Sequence, residues 1–305
     1  MLTENDLILG EAAIVESLRR SGEVKLHPRL VHALLIYDRA GAKALTDLYE
    51  AYIAVAHKAG VPIIICTPTW RANKERLLEA NLSGDVNRDA VDFLKALRKK
   101  WGSWGENILI GGLVGCKNDC YIPGEALSSE DAYDFHSWQL DKLARAGADF
   151  LIAETLPAVP EARGIAQAMS KIGIPYFIAF VINRKGKILD GSALNSAFDE
   201  IDSVCETPPT GFMISCSYPS FLNTDKQPVS IFSRLIGYFA NASSLDQWEL
   251  DGTKALEVDA ISDWGNRMID LNRRHGVKIL GGCCGTNAQH LQYIVDNVTK
   301  RRRFT

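Results

Sequence analysis

Eight short runs of apolar residues, many of them β-branched, recur along the chain and are separated by segments with the period of amphipathic helices. The runs are Leu7–Leu9, Ile63–Cys66, Ile108–Val114, Phe150–Ala153, Phe177–Ile182, Phe212–Ser215, Leu235–Phe239 and Val277–Leu280. Continuous apolar runs are typical of strands buried on both faces, as in a parallel sheet, because a half-exposed strand alternates apolar and polar positions. The pattern therefore predicts parallel strands that alternate with helices.

The segments that lead into the strands carry the signature of helix ends. Gly60, Gly147, Gly173 and Gly276 each stand shortly before an apolar run. Glycine at this place stops a helix in the left-handed conformation, so that a strand can follow directly. Eight such units in 305 residues match a (β/α)8 barrel, with a doubly wound α/β sheet as the competing arrangement. No linker-like stretch divides the chain, so we predict one barrel domain over residues 1–305.

The composition excludes several classes of partner. The chain is 47% hydrophobic and 23% charged with a net charge of -3, which is typical of a globular protein and offers no basic surface to nucleic acid or to an anionic membrane. No run approaches the roughly 20 apolar residues of a membrane-spanning helix, and the N-terminus lacks the basic and apolar regions of a signal peptide. We therefore expect a cytoplasmic protein that acts on small molecules. The sequence leaves the oligomeric state open, a homo-oligomer included.

Three of the seven cysteines stand where strands end. Cys283 and Cys284 lie in a Gly-Gly-Cys-Cys-Gly-Thr segment directly after the last apolar run, and Cys216 closes the sixth run. In a (β/α)8 barrel the carboxyl ends of all strands open on one rim, so these thiols can converge although they are distant in sequence. Three thiolates select zinc and leave the fourth tetrahedral position open, as in catalytic zinc sites. The competing interpretation is that Cys216 is a small core residue.

The other cysteines give weaker signals. Cys116 and Cys120 are spaced as CxxxC after the third run, where they could bind metal or oxidise near the rim. Without a second pair nearby, loop thiols are the simpler interpretation, and the same holds for Cys66 and Cys205. A large chain without export signals is typical of a reducing compartment, so we expect reduced thiols.

A zinc ion held by three thiolates is a poor Lewis acid, because the ligands leave the centre with a net negative charge. Such a site is better suited to a substrate thiol, whose free pKa of about 8.5 keeps it mostly protonated at neutral pH. A thiolate that attacks a methyl group on a cationic leaving group neutralises charge as the reaction proceeds. The residues therefore favour thiol alkylation over hydrolysis.

With these segments the sequence resembles the zinc-dependent homocysteine S-methyltransferase family, which includes betaine and S-methylmethionine homocysteine methyltransferases and the homocysteine module of methionine synthase. The Gly281–Thr286 segment is similar to the family's paired zinc ligands, and Cys216 stands in the place of the third ligand. Phe150–Thr155 looks like the family's fourth strand, which implies that Glu154 binds the homocysteine amino group. A carboxylate at a barrel strand end is also commonly functional, although an acid that stabilises a helix N-terminus is the alternative. The resemblance spans nearly the whole chain and implies a barrel, bound Zn2+ and methyl transfer to a thiol.

The first strand departs from the family pattern. Glu11 stands where the family usually has the aspartate of an Asp-Gly-Gly segment, and Ala12 and Ala13 replace the glycines. Glu11 can replace the acid, whereas the two Cβ atoms occupy places where the backbone approaches the amino-acid substrate. Homocysteine is therefore less firmly predicted than thiol methylation.

The rim after the second strand departs too. It reads Thr67-Pro68-Thr69-Trp70-Arg71, where relatives have Thr-x-Thr followed by Tyr or Phe. Thr67, Trp70 and Arg71 are candidate substrate contacts, and Trp70 offers an aromatic face to a sulfonium or quaternary ammonium group. Arg71 would pair with a substrate carboxylate or point to solvent. Asn241 resembles a rim asparagine of the family, although Asn-Ala-Ser-Ser is equally a helix start. Further aromatic candidates are Tyr218, Phe221 and Trp248.

From the sequence we predict an enzyme that binds Zn2+ through Cys216, Cys283 and Cys284 and uses Glu11 and Glu154 at its catalytic centre. The predicted reaction moves a methyl group from a small onium donor to a thiol, with homocysteine as acceptor and methionine as product. The barrel leaves no room for cobalamin- or folate-binding modules, which favours S-methylmethionine, S-adenosylmethionine or betaine without distinguishing them. Two alternatives stay open. One is a related zinc-dependent methyltransferase or demethylase with another thiol acceptor or a corrinoid-protein partner, and the other is a non-catalytic protein whose zinc site has lost its substrate pocket.

Overall fold

Eight parallel strands close into a barrel in the computed structural model, and they follow one another around it in chain order. The structure describes residues 2–82, 84–246, 249 and 257–299, so Trp248 lies outside the described residues. The strands are β1 Ile8–Gly10, β2 Ile63–Cys66, β3 Ile108–Gly115, β4 Phe150–Leu156, β5 Tyr176–Phe180, β6 Gly211–Ser217, β7 Leu235–Ala240 and β8 Ile279–Gly282. Each predicted run coincides with a strand to within a few residues, so the single (β/α)8 barrel is confirmed.

Helices cover the outside of the barrel. They are α1 Val15–Ser21, α2 Arg39–Ala59, α3 Lys74–Glu79, α4 Val86–Lys99, α5 Ser129–Arg145, α6 Val159–Ser170, α7 Leu194–Val204, α8 Ile261–His275 and α9 Ala288–Thr299. Gly60 and Gly276 end α2 and α8 with φ of 68° and 71°, a conformation in which a side chain would be strained. The glycine stops predicted at these two places are therefore present. No helix in the described residues is both long enough and apolar enough to cross a bilayer.

Alternate strand positions point to opposite sides of the barrel wall. One set, which includes Ile64, Ile152, Met213 and Ile279, fills the barrel interior, while the intervening residues pack against the helices. Both faces of the strands are therefore apolar, which explains the continuous hydrophobic runs. The same alternation carries Cys66 of β2 and Glu154 of β4 towards the inside of the barrel mouth.

The connection between β6 and β7 is irregular. It contains the short 3-10 helices Pro219–Leu222, Thr224–Lys226 and Val229–Ser233 in place of a full outer helix. Pro219 and Pro228 lack the backbone N–H that a regular helix would use, so the chain passes this side of the barrel in short turns. The irregular segment follows directly after Cys216.

Helices α5 and α6 pack closely because α6 has a glycine at the contact. A Cβ atom on Gly164 would overlap the carbonyl oxygen of Ser129 and lie 2.7 Å from Cβ of Ala132. We expect Gly164→Ala to lower the free energy of unfolding by about 1–3 kcal/mol, because overpacking outweighs the gain in helix propensity. Urea denaturation measures the change. Gln167→Ala, a partly exposed position on the same helix, is the control and should alter stability by less than about 0.5 kcal/mol. Equal stability of the two variants would contradict the tight contact.

Candidate metal and substrate site

The three cysteines singled out at the strand ends lie together at the mouth of the barrel. The sulfur atoms of Cys216, Cys283 and Cys284 are all within 4.8 Å of one another. Cys216 belongs to β6, and Cys283 and Cys284 follow β8 directly. Barrel closure therefore brings distant parts of the chain to one point, as the sequence predicted.

The end of β7 holds the backbone of all three cysteines. The amide N–H of Cys283 donates to the carbonyl oxygen of Ala240 at 2.8 Å, and that of Ala242 donates to the carbonyl oxygen of Cys284 at 2.9 Å. Between them, Nδ2 of Asn241 donates to the carbonyl oxygen of Cys216 at 3.0 Å. Strand β7 is thus the common support of two segments that carry the thiols.

Glycines allow the Cys283–Cys284 turn to form. A Cβ atom on Gly281 would lie 2.7 Å from the ring of Phe239 in the barrel interior, and one on Gly282 would overlap the side chain of Thr286. The hydroxyl of Thr286 in turn donates to the carbonyl oxygen of Cys283 at 2.6 Å. The two glycines and the threonine of the Gly-Gly-Cys-Cys-Gly-Thr segment are therefore each required by the packing or hydrogen bonding of the turn.

The donor set fits a zinc ion. Two sulfurs bound to one tetrahedral zinc at about 2.3 Å lie about 3.8 Å apart, which is within the span of the three cysteines. The sulfurs of Cys216 and Cys283 are in direct contact and can also pair as a disulfide, a use that excludes metal binding by the same atoms. Burial, and after it Glu16, raises the pKa of the Cys284 thiol to about 12, so a bound cation would favour its thiolate form. Beside them, the buried Oδ1 of Asn241 has no hydrogen-bond partner among the described residues.

Two carboxyl groups and a thiol form the polar lining next to the cysteines. Oε2 of Glu11 accepts a hydrogen bond from the backbone N–H of Cys66 at 2.7 Å, and the Cys66 thiol donates to Oε1 of Glu154 at 3.9 Å. The backbone of Glu11 also accepts from the N–H of Gly282 at 2.8 Å, next to Cys283. The carboxyl groups and the cysteines therefore belong to one site.

Burial sets the protonation of this lining. It raises the pKa of Glu154 to about 7, and the Cys66 thiol opposes part of that effect. It raises the pKa of Glu11 well above its ordinary value; the N–H of Cys66 opposes the shift and the nearby charge of Glu154 adds to it. Two carboxyl groups that ionise reluctantly in an apolar mouth are suited to a cationic partner, because an ammonium group compensates their charge.

The two alanines that follow Glu11 are packed into the protein. Ala12 belongs to the apolar cluster between barrel and helices. The carbonyl oxygen of Ala13 accepts a hydrogen bond from the Tyr52 hydroxyl at 2.7 Å. The Ala13 N–H donates to the Thr286 hydroxyl at 3.3 Å. The methyl group of Ala12 is therefore taken up by the core.

The rim after β2 is built of buried hydrogen bonds. The hydroxyl of Thr67 pairs with that of Thr69 at 2.7 Å and accepts the N–H of Leu113 at 3.0 Å. Trp70 is half-buried and donates from Nε1 to the Thr155 hydroxyl at 2.9 Å. A direct contact of Thr67 with substrate stays a prediction.

Arg71 does not point to solvent, contrary to one of the two expectations for it. It is 7% exposed. Its guanidinium lies over the Trp70 ring, 4.0 Å from the centroid. Its Nη1 donates to the carbonyl oxygens of Cys116 at 2.6 Å and Asn118 at 2.7 Å. Arg71 thus fastens the β3–α5 loop to the rim, while a contact with a substrate carboxylate stays a prediction.

The remaining cysteines and aromatic residues are mostly structural. Cys116 and Cys120 are buried in the β3–α5 loop, and burial raises the pKa of Cys116 to about 12. Tyr218 and Phe221 belong to the cluster between barrel and helices. Cys66 is the exception, because it lines the site although the sequence suggested only a loop thiol. Its place two residues after the inward-facing Ile64 was the signal that could have revealed it.

Comparison with known proteins shows the family of the chain. A sequence profile described as homocysteine S-methyltransferase matches residues 9–298. The chain belongs to the homocysteine S-methyltransferase family. Curated members of comparable length include homocysteine S-methyltransferase 1 of Arabidopsis thaliana, 25% identical over 95% of this chain and 89% of the relative, and selenocysteine Se-methyltransferase of Brassica oleracea var. italica, 25% identical over 90% and 81%. The metallated homocysteine methyltransferase MmuM of Escherichia coli is 18% identical and covers 97% of each chain with a TM-score of 0.74, which shows the shared fold.

Loss of the Arg71 guanidinium should loosen the β3–α5 loop. We expect Arg71→Met to lower the free energy of unfolding by about 2 kcal/mol, because buried carbonyl oxygens lose a charged donor. Limited proteolysis should then cleave within residues 116–127 faster than in the parent protein. Arg145→Met, at an exposed site on α5, is the control. Unchanged cleavage in Arg71→Met would contradict the anchoring role.

Binding of an amino-acid thiol should depend on the charge of Glu154. Because burial raises the pKa of Glu154 to about 7, the carboxyl is neutral below that pH and gains its charge above it. The apparent affinity for homocysteine should therefore rise as the pH increases through about 7. Calorimetric titration of zinc-loaded protein measures this step, which should vanish in Glu154→Gln. It should also be absent with 4-mercaptobutanoate, which is homocysteine without its amino group; the same step with that ligand would assign it to the thiol instead.

Proposed function

We propose that the protein is a zinc-dependent methyltransferase that transfers a methyl group from a small onium donor to the thiol of homocysteine and forms methionine. The observation that carries the proposal is the convergence of Cys216, Cys283 and Cys284 beside the carboxyl groups of Glu11 and Glu154. Homocysteine has a thiol, which suits the cysteine cluster, and an ammonium group, which suits the two carboxyl groups. Membership of the family supports the same reaction.

The thiols of Cys216, Cys283 and Cys284 would hold the zinc ion. When bound, the ion supplies the positive charge that ionises a substrate thiol at neutral pH. Glu154 and Glu11 bind the ammonium group and thereby fix the direction in which the substrate sulfur points. The half-buried ring of Trp70, with Arg71 against one face, is the aromatic contact that we assign to the donor.

The transfer itself needs no protein acid. The sulfur of homocysteine forms a bond to the methyl carbon, and the bond from that carbon to the onium sulfur or nitrogen breaks. The electron pair of the broken bond stays on the leaving group, which departs neutral. The thiol proton has already passed to solvent, so the balance closes with methionine and the demethylated donor.

The acceptor is the point on which the relatives differ. Their names assign homocysteine to several members and selenocysteine to another. We propose homocysteine here because the matching profile is described as homocysteine S-methyltransferase. The carboxyl pair suits an acceptor with an amino group, and Ala12 packs into the core. Another thiol acceptor or a corrinoid-protein partner is the alternative; a cytoplasmic location and a homo-oligomer stay predictions.

The direct test uses reduced, zinc-loaded protein with homocysteine and, separately, S-methylmethionine, S-adenosylmethionine and betaine. Mass spectrometry should detect methionine with at least one donor. Selenocysteine, cysteine and 4-mercaptobutanoate serve as competing acceptors. Methylation of another acceptor without methionine formation would reject homocysteine, and no binding of any thiol by the zinc-loaded protein would reject the enzymatic function.

Serine in place of any one of the three cysteines should remove the metal. We expect Cys216→Ser, Cys283→Ser and Cys284→Ser each to lower bound zinc at least tenfold and turnover at least a hundredfold, because a hydroxyl is a poor zinc ligand. Elemental analysis and methionine formation measure the two effects. Cys205→Ser, at a cysteine outside the cluster, is the control and should keep both values. Full zinc occupancy in Cys216→Ser would show that the third ligand is another residue.

A further inference from the structure

The strands that carry Glu154 and Cys216 both leave regular geometry beside those residues. Thr155 and Cys216 have φ of 59° and 48°, in the left-handed region that non-glycine residues rarely adopt. The pairing register shifts at the same places, between Ala153 and Leu156 on β4 and between Ser215 and Ser217 on β6. The β4 shift directly follows Glu154, and the β6 shift breaks the alternation so that Cys216 faces the mouth, at the cost of ladder hydrogen bonds.

One side chain joins the two irregular strand ends. The hydroxyl of Ser215 accepts a hydrogen bond from the backbone N–H of Thr155 at 2.9 Å. Ser215 is fully buried, and Thr155 directly follows Glu154 while Cys216 directly follows Ser215. The hydroxyl of Thr155 also donates to the carbonyl oxygen of Glu154 at 2.6 Å. A single bond therefore ties the peptide of the carboxyl group to the peptide of the thiol.

The hydrogen bond from the Thr155 N–H to Ser215 stabilises a strained backbone conformation. The Thr155 N–H is freed from the ladder by the register shift, and a buried N–H without a partner is costly. Without an acceptor from β6, the end of β4 would relax towards a regular ladder and carry Glu154 with it. The same change would release β6 next to Cys216.

We propose that Ser215 is a positioning residue that sets the separation between the carboxyl group of Glu154 and the metal-ligating thiol of Cys216. It acts through the Thr155 peptide and does not itself touch substrate. The separation matters for an acceptor held at both ends, with its ammonium group on Glu154 and its sulfur at the metal; in this respect the inference rests on the proposed function.

The chain supplies a matched control on the other side of Cys216. Ser217 is also fully buried, and its hydroxyl accepts the backbone N–H of Ile182 at 2.9 Å. It therefore resembles Ser215 in residue type, burial, strand and distance from Cys216 in sequence. Its hydroxyl also lies within hydrogen-bond distance of the carbonyl oxygens of Ile182, just after β5, and of Ser215, but within the described residues it makes no bond to the segment that carries Glu154. A general loss of packing should affect Ser215→Ala and Ser217→Ala alike.

Two measurements on Ser215→Ala, Ser217→Ala and Ser215→Thr test the proposal. Chelator competition gives the zinc affinity, and calorimetry on zinc-loaded protein gives the ratio of homocysteine affinity to 4-mercaptobutanoate affinity, which reports recognition of the amino group. We expect Ser215→Ala to lower both zinc affinity and the ratio about tenfold, within the range known for residues that orient metal ligands. Ser217→Ala should leave the ratio within about twofold, and Ser215→Thr, which keeps the hydroxyl, should restore it.

Equal ratios in Ser215→Ala and Ser217→Ala, or an unchanged ratio and zinc affinity in Ser215→Ala, would overturn the proposal. If Ser215→Ala does not fold, hydrogen exchange of the parent protein is measured with and without zinc. Zinc should slow exchange of the Thr155 amide, because its hydrogen bond to Ser215 is next to Cys216. An unchanged exchange rate would overturn the proposed connection between Cys216 and Glu154. Failure of the proposed function looks different, because the parent protein would then bind neither thiol or form no methionine. In that case the zinc affinities of Ser215→Ala and Ser217→Ala still test the role of Ser215. A larger loss in Ser215→Ala supports the role, and equal losses reject it.

Discussion

Closure of a parallel barrel is the constraint on which the site depends. Because every strand runs in the same direction, every strand ends at the same rim, and side chains distant in sequence become neighbours without a connecting motif. The β7 end turns this general property into a defined geometry by bonding to the backbone beside all three cysteines. A protein that kept the eight strands but lost this support would keep its core and lose the convergence of the thiols.

The barrel mouth contains groups that destabilise the folded state, and the apolar barrel below them compensates for the loss of stability. Glu11, Glu154 and Cys66 are placed where burial disfavours their charged forms, and Thr155 and Cys216 hold strained backbone. The interior below them is apolar and filled by residues such as Ile64, Ile152 and Met213. Stability therefore comes from the lower part of the barrel, and the upper part is free to favour binding over stability.

The sequence supported the fold more completely than the site. Apolar runs, glycine stops and strand-end cysteines are local signals, so the barrel and the convergence of Cys216 with Cys283 and Cys284 could be predicted. The environment of Arg71 could not, since its carbonyl partners lie in a loop more than forty residues away and carbonyls leave no trace in a sequence. Cys66 and Ser215 were overlooked for a related reason, because their importance arises from contacts with neighbouring strands.

The guanidinium that rests on Trp70 also changes what the indole can offer to a methyl donor. Its electron density is already drawn towards a fixed positive charge on one side, so a second cation on the other side meets a weakened partner. Discrimination among methyl donors would then depend less on their attraction to the Trp70 ring than on how well the shape of each donor fits the space next to that ring. A compact trimethylated amine and a long sulfonium nucleoside differ most in that respect.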